Sequence, residues 1–311
     1  MTNLKPVKRI LMLQILVFFM VMLLITASAC GGSGGERRIV YEANDGSVTN
    51  IFTIDAGTGD TKQITHGDSF DGDPAWAPDH QRIVFVSNRE LPEKKDIYVM
   101  DSDGSHVRAI RSTPEVSELS PKFSPDGKRI AYAGQDAAGV WDIRMMNADG
   151  SNDREIAGGY KFSEFPAWTR DGRQVYYAAI PQDKDATDIY SVDVETLEVV
   201  TRIATPGADL CPHFSPDGEY MTYATSPVGE ENNVDLFRHE ISSDDTTGAS
   251  DERLTTSGGS DDYGNPSPDG KRYVFVSKRD GNFELYLMDT DGSNQRRLTN
   301  TPDVRENVPD W

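Results

Sequence analysis

Short runs of β-branched and aromatic residues recur along the chain from residue 38 onwards. Residues 82–87, 129–133 and 272–277 are such runs, and each is followed by a second one, as at 96–101 and 284–289. Apolar runs of this length between turn residues are typical of β-strands. The pattern therefore predicts a chain built of short strands.

A turn of the Pro-Asp-Gly type precedes each pair of runs, and it gives the chain a period. The turn aspartates are Asp79, Asp126, Asp171, Asp217 and Asp269, so successive turns lie 45 to 52 residues apart. Tight turns such as Asp103-Gly104 follow the second run and lead to a last short strand, as at 296–299. A period in the forties indicates one supersecondary unit per repeat, and each unit here contains four antiparallel strands.

The two ends of the repeat region complement each other. Residues 38–41, 50–55 and 61–65 match the second, third and fourth strands of a unit, whereas 307–311 match a first strand with nothing after it. Pairing the ends completes a sixth unit and closes a ring, which leaves no end unit with an exposed apolar face. The predicted fold is all-β: a six-bladed β-propeller of four-stranded antiparallel blades over 38–311, closed by the C-terminal strand joining the N-terminal blade.

This repeat resembles the Pro-x-Trp-Ser-Pro-Asp-Gly unit of TolB-like β-propellers, which also occurs in the propeller domains of prolyl oligopeptidase-like peptidases. The resemblance covers residues 38–311, and it implies a propeller that docks another protein of the cell envelope. Two turns differ from the pattern at single positions, since His80 stands for Gly in the first and Arg170 for Pro in the third. The repeat with the larger departure has Gly264-Asn265-Pro266 where Pro, any residue and an aromatic are expected. The packing of that inner strand is left open.

The first 37 residues differ from the rest of the chain. Lys5, Lys8 and Arg9 form a positive start, and residues 10–29 are then almost wholly apolar, which is the pattern of an export signal. Three outcomes are open: a lipoprotein-type signal peptide over 1–29 with Cys30 lipidated, an uncut membrane anchor, or a cleaved signal for free secretion. Residues 30–37 form a Gly/Ser tether. The propeller is predicted to be extracytoplasmic, on the periplasmic or outer cell surface, and membrane-anchored through the lipid or the anchor.

The charge balance narrows the choice of partner. The chain has 31 Lys and Arg against 51 Asp and Glu, a formal net charge of -20. Such a chain is excluded as a nucleic-acid binder, and it favours cationic partners or metal ions. Cys211 has no intramolecular partner once Cys30 is acylated, and we interpret it as a small buried residue.

One acidic position repeats in register with the turns. It lies eight residues before each turn aspartate, and its occupants are Asp71, Glu118, Ser163, Asp209 and Asp261, with Glu306 in the closing strand and Glu164 beside the exception. One interpretation is a collar of Asp71, Glu118, Glu164, Asp209, Asp261 and Glu306 at the channel mouth, which binds a cation, a basic peptide or an envelope protein. The structural alternative is that each carboxylate caps a loop of the neighbouring blade or pairs with a loop arginine such as Arg89 or Arg279.

Catalytic motifs are scarce. The sequence has no Gly-x-Ser-x-Gly elbow, and its five histidines have no paired spacing for a metal. We therefore predict no catalytic residue, no metal ligand and no cofactor, apart from a cation that the channel could hold. The predicted function is a monomeric, membrane-tethered scaffold that binds protein. The alternative is a carbohydrate-active or hydrolytic enzyme with its site in the channel, which a convergent cluster of His, Arg and carboxylate side chains in the pore would favour.

Overall fold

The computed structural model describes residues 38–311, apart from 115, 137, 228, 231–232 and 243–245. The predicted signal or anchor segment 1–29, the lipidation site Cys30 and the tether 30–37 lie outside the described residues. The described part of the chain folds into 24 strands. It contains no helix with the length and apolar character needed to cross a membrane.

The strands follow one another at short intervals. The first twelve are β1 (Arg38–Asn44), β2 (Thr49–Asp55), β3 (Thr61–Gln63), β4 (Asp71–Trp76), β5 (Arg82–Ser87), β6 (Asp96–Asp101), β7 (Arg108–Arg111), β8 (Glu118–Phe123), β9 (Arg129–Gln135), β10 (Trp141–Asn147), β11 (Arg154–Ala157) and β12 (Phe162–Trp168). The others are β13 (Gln174–Ile180), β14 (Asp188–Asp193), β15 (Val199–Ile203), β16 (Leu210–Phe214), β17 (Tyr220–Thr225), β18 (Asp235–Glu240), β19 (Glu252–Arg253), β20 (Asp261–Pro266), β21 (Arg272–Ser277), β22 (Glu284–Asp289), β23 (Arg296–Arg297) and β24 (Arg305–Asp310).

These strands form six antiparallel sheets of four strands each. Blades 1 to 5 are β4–β7, β8–β11, β12–β15, β16–β19 and β20–β23. Blade 6 has the order β24-β1-β2-β3, in which Val40 pairs with Asp310 and Asn44 with Arg305. The first strands of successive blades contact one another from β4 through β8, β12, β16 and β20 to β24, and β24 contacts β4 again. The predicted six-bladed propeller, closed by the C-terminal strand, is confirmed.

Each blade is buried on both faces because it lies between two neighbours, which explains why its middle strands are continuously apolar. In β5 the four residues 83–86 are all fully buried. The core clusters combine adjacent blades, as where Val84 of blade 1 packs with Ile130 and Tyr132 of blade 2. Arg82 lies over the Phe123 ring of the next blade at 5.4 Å from its centre, one of several such arginine and aromatic pairs between blades.

An irregularity recurs in every inner strand. The register shifts at the same place in each pairing, and the residue at the shift has a positive φ between 47° and 57°. These bulge residues are Asp73, Ser120, Phe165, Cys211, Tyr263 and Val308. A β-bulge of this kind re-aims side chains and leaves backbone groups unpaired in the sheet. Five of the six bulge residues line the narrow central part of the channel.

The repeat that departs from the sequence pattern forms the same strand as the others. In β20 the register shifts between Asp262 and Asn265, as in the other blades. Asn265 occupies the channel side, where its amide donates to Asp310 at 3.1 Å and its oxygen accepts the Trp311 N–H at 3.3 Å. Hydrogen bonds to the closing strand therefore hold the inner strand of blade 5, where other blades use an aromatic contact.

Candidate functional site

Five of the six predicted collar residues begin or adjoin the inner strands, but their side chains are buried among the blades. These junction residues are Asp71, Glu118, Asp209, Asp261 and Glu306. Asp71, Glu118 and Asp261 are 2%, 0% and 0% exposed. Arg89 donates to Asp71 at 2.8 Å, Arg279 donates to both carboxylate oxygens of Asp261 at 3.1 Å, and Arg111 donates to Glu118 at 3.1 Å. The structure thus gives these three carboxylates the arginine partners of the structural alternative.

Asp209 and Glu306 are buried in the same way but hold loops through neutral donors. Asp209 accepts hydrogen bonds from the amide and hydroxyl of Thr205 at 2.8 and 2.7 Å. Glu306 accepts from the Thr301 hydroxyl at 2.8 Å and from the Leu285 amide of blade 5 at 3.3 Å. Both carboxylates therefore cap loops that lead from the preceding blade. A role in binding a partner stays a prediction for all five of these junction residues.

Burial changes the protonation of two junction residues, Glu118 and Asp209. Burial raises the pKa of Glu118 to about 8, which the Arg111 charge opposes and the Asp96 charge reinforces. Burial likewise raises the pKa of Asp209 to about 6. The Glu118 Oε2 atom has no hydrogen-bond partner among the described residues. Glu118 is therefore held largely in its neutral form at pH 7.

Carboxylates do meet inside the channel, at the end where the inner strands begin. Glu42 accepts the Asp73 amide at 3.0 Å, and Asp73 in turn accepts the Ser120 amide at 3.0 Å. The Ser120 hydroxyl donates to Glu164 at 2.9 Å. Glu42, Asp73 and Glu164, here called the mouth cluster, come from blades 6, 1 and 3. Two of these bonds satisfy amides that the bulges leave free.

The mouth cluster is electrostatically unbalanced. Burial raises the pKa of Glu42 and of Glu164 to about 7, and the charge of Asp73 adds to both shifts. Lys95 is the nearby cation that opposes the rise at both residues, and its ammonium lies 3.8 Å from the centre of the Phe70 ring. Across the channel, burial raises the pKa of Asp262 to about 6. An added cation would stabilise the ionised form of the whole cluster.

The channel narrows at its centre and widens again towards the Pro-Asp-Gly turns. The narrow part has a volume of about 20 Å³, and the rings of Phe165 and Tyr263 meet there edge to face at 6.0 Å. The wider part, here called the turn-side cavity, has a volume of about 310 Å³. Its walls are mainly aromatic and proline side chains, and its polar lining consists of His80, Lys122, His213, Asn265 and Asp310.

The polar groups of the turn-side cavity are bonded to one another across blades. The Lys122 ammonium lies 2.6 Å from Asp310, whose other carboxylate oxygen accepts the Trp76 amide at 2.8 Å. The His213 Nδ1 atom lies 2.9 Å from the Cys211 carbonyl oxygen. Burial and the Lys122 charge lower the pKa of His213 to about 4, so its ring is neutral at pH 7. A carbonyl oxygen only accepts, so Nδ1 carries the proton and Nε2 is an acceptor.

The structure divides the predicted site residues. Glu164 belongs to the channel, whereas Asp71, Glu118, Asp209, Asp261 and Glu306 belong to the blade junctions. The sequence did not indicate the other polar residues of the channel. They are Glu42, Asp73, Lys122, His213, Asp262, Asn265 and Asp310. A signal for them exists, because a proline follows the bulge residue in five of the six inner strands and marks where the strand departs from regular pairing. The part of the chain that the structure describes has no group of three or more His, Cys, Asp or Glu arranged to hold a metal.

The blade topology defines the class of protein as a closed six-bladed β-propeller, and its central channel carries polar side chains. The family model of the TolB β-propeller domain, PD40, matches residues 27–140 and 134–311. The chain therefore belongs to the TolB β-propeller family, and the predicted resemblance is confirmed.

Individual proteins that resemble this chain share about a quarter of its residues or fewer over the aligned parts. An uncharacterised protein of Agrobacterium fabrum is 27% identical over 234 residues, which are 72% of this chain and 74% of that protein. An uncharacterised peptidase of Bacillus subtilis is 26% identical over 189 residues, 60% of this chain but about a quarter (26%) of the peptidase. The crystal structure of TolB from Acinetobacter baumannii matches with a TM-score of 0.73 at 22% identity, over 90% of this chain and 67% of that one. At that identity the structural match shows the fold alone.

Proposed function

We propose that the protein is a membrane-tethered, extracytoplasmic scaffold that binds an envelope protein by receiving its basic side chains at the channel mouth. The export signal over 10–29 and the lipidation motif at Cys30 support the location and the tether. Membership of the TolB β-propeller family supports a role in binding protein. The net charge of -20 supports a cationic partner surface.

The mouth cluster is the observation that carries this proposal. Glu42, Asp73 and Glu164 come from three blades. Burial and the charge of Asp73 raise the pKa of Glu42 and Glu164, against the charge of Lys95 at both and of Arg305 at Glu42, so ionising the two glutamates is unfavourable. A lysine or arginine of a partner would add the missing positive charge and recover that cost on binding. Glu164 is then the predicted collar residue that meets the partner. The five junction residues hold the loops that surround the mouth.

The test measures binding of fluorescein-labelled hexalysine to the full chain in detergent micelles by fluorescence anisotropy. The triple variant E42Q/D73N/E164Q keeps the oxygens that cap the bulge amides but removes the charges, and we expect about tenfold weaker binding at pH 8. The wild type should also bind more weakly at pH 6 than at pH 8, because Glu42 and Glu164 take up protons below a pKa of about 7.

The matched control is Glu195→Gln, which removes one charge from a side chain that is 82% exposed. It should bind hexalysine as the wild type does. If the triple variant also binds like the wild type while its thermal melting is unchanged, the mouth cluster is not the binding site and the proposal fails.

A further inference from the structure

One channel position differs among the blades in a way that blade packing does not require. It lies two residues after each bulge residue, and its occupants are Ala75, Lys122, Ala167, His213, Asn265 and Asp310. Two blades pack normally with alanine there, since Ala75 and Ala167 are 1% and 8% exposed. The architecture is therefore satisfied by a methyl group. The four polar side chains come from four different blades. Asn265 and Asp310 hydrogen-bond between blades 5, 6 and 1, whereas the packing of the blades does not account for Lys122 and His213.

These four side chains converge on the turn-side cavity. Its volume of about 310 Å³ is at the lower end of the range of about 300 to 1,000 Å³ found for small-molecule sites. Its walls include Phe123, Trp168 and Phe214, together with several prolines. Apolar walls with a few convergent polar groups are the usual make-up of a site for one small ligand.

The hydrogen bonds within the cavity decide which polar atoms a ligand can use. Asp310 is occupied, because one of its oxygens accepts from Lys122 and Asn265 and the other accepts the Trp76 amide. Lys122 has three N–H groups, of which one is directed at Asp310. His213 uses Nδ1 towards Cys211 and keeps Nε2 as an acceptor. A ligand therefore meets a donor on Lys122 and an acceptor on His213.

The charges in the cavity favour a neutral ligand. An anion would approach Lys122 but would also meet Asp310, which is 2.6 Å from that ammonium, and the chain as a whole carries -20. A cation would meet the ammonium of Lys122 directly. A hydroxyl group can donate to His213 Nε2 and accept from Lys122 without breaking the Lys122–Asp310 ion pair.

We propose that the turn-side cavity binds a small neutral sugar, a monosaccharide or the end unit of a longer chain. The sugar hydroxyls bond to Lys122 and His213, and an apolar face of the ring packs on the aromatic and proline walls. The cavity opens on the turn side of the constriction, which Asp73 of the mouth cluster lines together with Lys122 and His213. It does not depend on the protein partner of the scaffold.

The test is a titration of the full chain in detergent micelles with methyl glucoside, methyl galactoside and N-acetylglucosamine, followed by saturation-transfer NMR and calorimetry. Acetate and methylammonium serve as charged comparators. We expect saturable binding of at least one sugar with a dissociation constant in the millimolar range or tighter. His213→Ala and Lys122→Ala should each weaken that binding about three- to tenfold, the effect of one hydrogen bond. Both variants place at these positions the residue that blades 1 and 3 already carry.

His106→Ala is the matched control, since the His106 side chain is 82% exposed and lies away from the cavity. It should bind the sugar as the wild type does, and so should E42Q/E164Q, because Glu42 and Glu164 line neither the constriction nor the cavity. The proposal is overturned if no sugar saturates below about 10 mM. It is also overturned if acetate or methylammonium binds more tightly than every sugar, or if folded His213→Ala and Lys122→Ala both keep the wild-type affinity.

Discussion

Carboxylates occur in two regions of this propeller, at the blade junctions and in the channel, and on β4 the two kinds are two residues apart. Asp71 enters the junction, is 2% exposed and pairs with Arg89 at 2.8 Å. Asp73 lies on the same strand but faces the channel, where its carboxylate accepts a hydrogen bond from the Ser120 amide. The bulge at Asp73 turns one carboxylate towards the packed blades and the other towards the channel. Two acidic residues on one strand therefore differ in role, since Asp71 stabilises the fold and Asp73 belongs to the candidate site.

The two regions also differ in how strictly the repeats keep them. The junction position holds a carboxylate in five of six blades, whereas the six bulge residues in the channel are all different. A position that every blade needs for its neighbour is repeated, and a position that no blade needs is free to vary. A residue type that recurs at the same position of every blade therefore indicates a role in the architecture. Positions where the residue type varies from blade to blade indicate the candidate sites.

The largest effect is expected from breaking a junction ion pair. Asp261→Asn removes the charge that accepts two hydrogen bonds from Arg279, and it leaves the guanidinium, which is 20% exposed, without its counter-ion. We expect a loss of about 2 to 4 kcal/mol in the free energy of unfolding, because removing one partner of a buried pair leaves the other uncompensated. Urea unfolding followed by tryptophan fluorescence measures it.

Asp185→Asn is the control for this measurement, because Asp185 is fully exposed and its pair with Lys161 is a surface contact. It should change the unfolding free energy very little. Equal stabilities for Asp261→Asn and Asp185→Asn would mean that the buried pair of Asp261 and Arg279 does not stabilise the fold, and the contrast between the two regions would disappear.

The next effect is a pH dependence that originates at the junction. The pKa of Glu118 is about 8 in the folded chain and about 4.5 when exposed, so folding favours the protonated form. Its contribution to stability is complete below pH 4.5 and is lost as the pH rises through 8. We expect the wild type to lose about 1 to 3 kcal/mol between pH 5 and pH 8 from this group.

Glu118→Gln should flatten that dependence, because an amide cannot ionise and can still accept the Arg111 hydrogen bond. Urea unfolding at pH 5, 6.5 and 8 compares the two slopes. If both chains lose the same stability with rising pH, Glu118 is ionised in the fold and the Arg111 charge outweighs its burial.

The sequence was sufficient for the fold because the strands and turns repeat. The turn aspartates at regular spacing located five blades, and the unmatched ends, 38–65 and 307–311, could only pair with each other. A middle strand of a blade that is packed between two neighbours is apolar on both faces. Continuously apolar runs such as 83–86 therefore predicted the middle strands from the sequence alone. Even the departure at Gly264-Asn265-Pro266 did not disturb the blade, because its neighbours determine the register.

The channel could not be predicted in the same way. A residue before the bulge and a residue after it point in different directions, and one inserted residue reverses which side chains face the channel. Counting back from the turns therefore found Asp71 and its equivalents, which face the junctions, but not Asp73. Glu42 lies on a second strand, which the turn spacing does not mark, and its carboxylate accepts the Asp73 amide N–H.

The smallest effect on the free energy of unfolding is expected from replacing a channel carboxylate, Glu164, with its amide. It gives the clearest contrast with Asp261→Asn. Burial raises the pKa of Glu164 to about 7 against about 4.5 when exposed, so ionising it above pH 7 costs stability in the folded chain. Glu164→Gln removes that cost and keeps the oxygen that accepts from Ser120. At pH 8 we expect the unfolding free energy to stay within about 1 kcal/mol of the wild type or to rise slightly. Urea unfolding that showed a loss as large as that of Asp261→Asn would make Glu164 a structural residue, because a carboxylate kept for a partner should be dispensable to the fold.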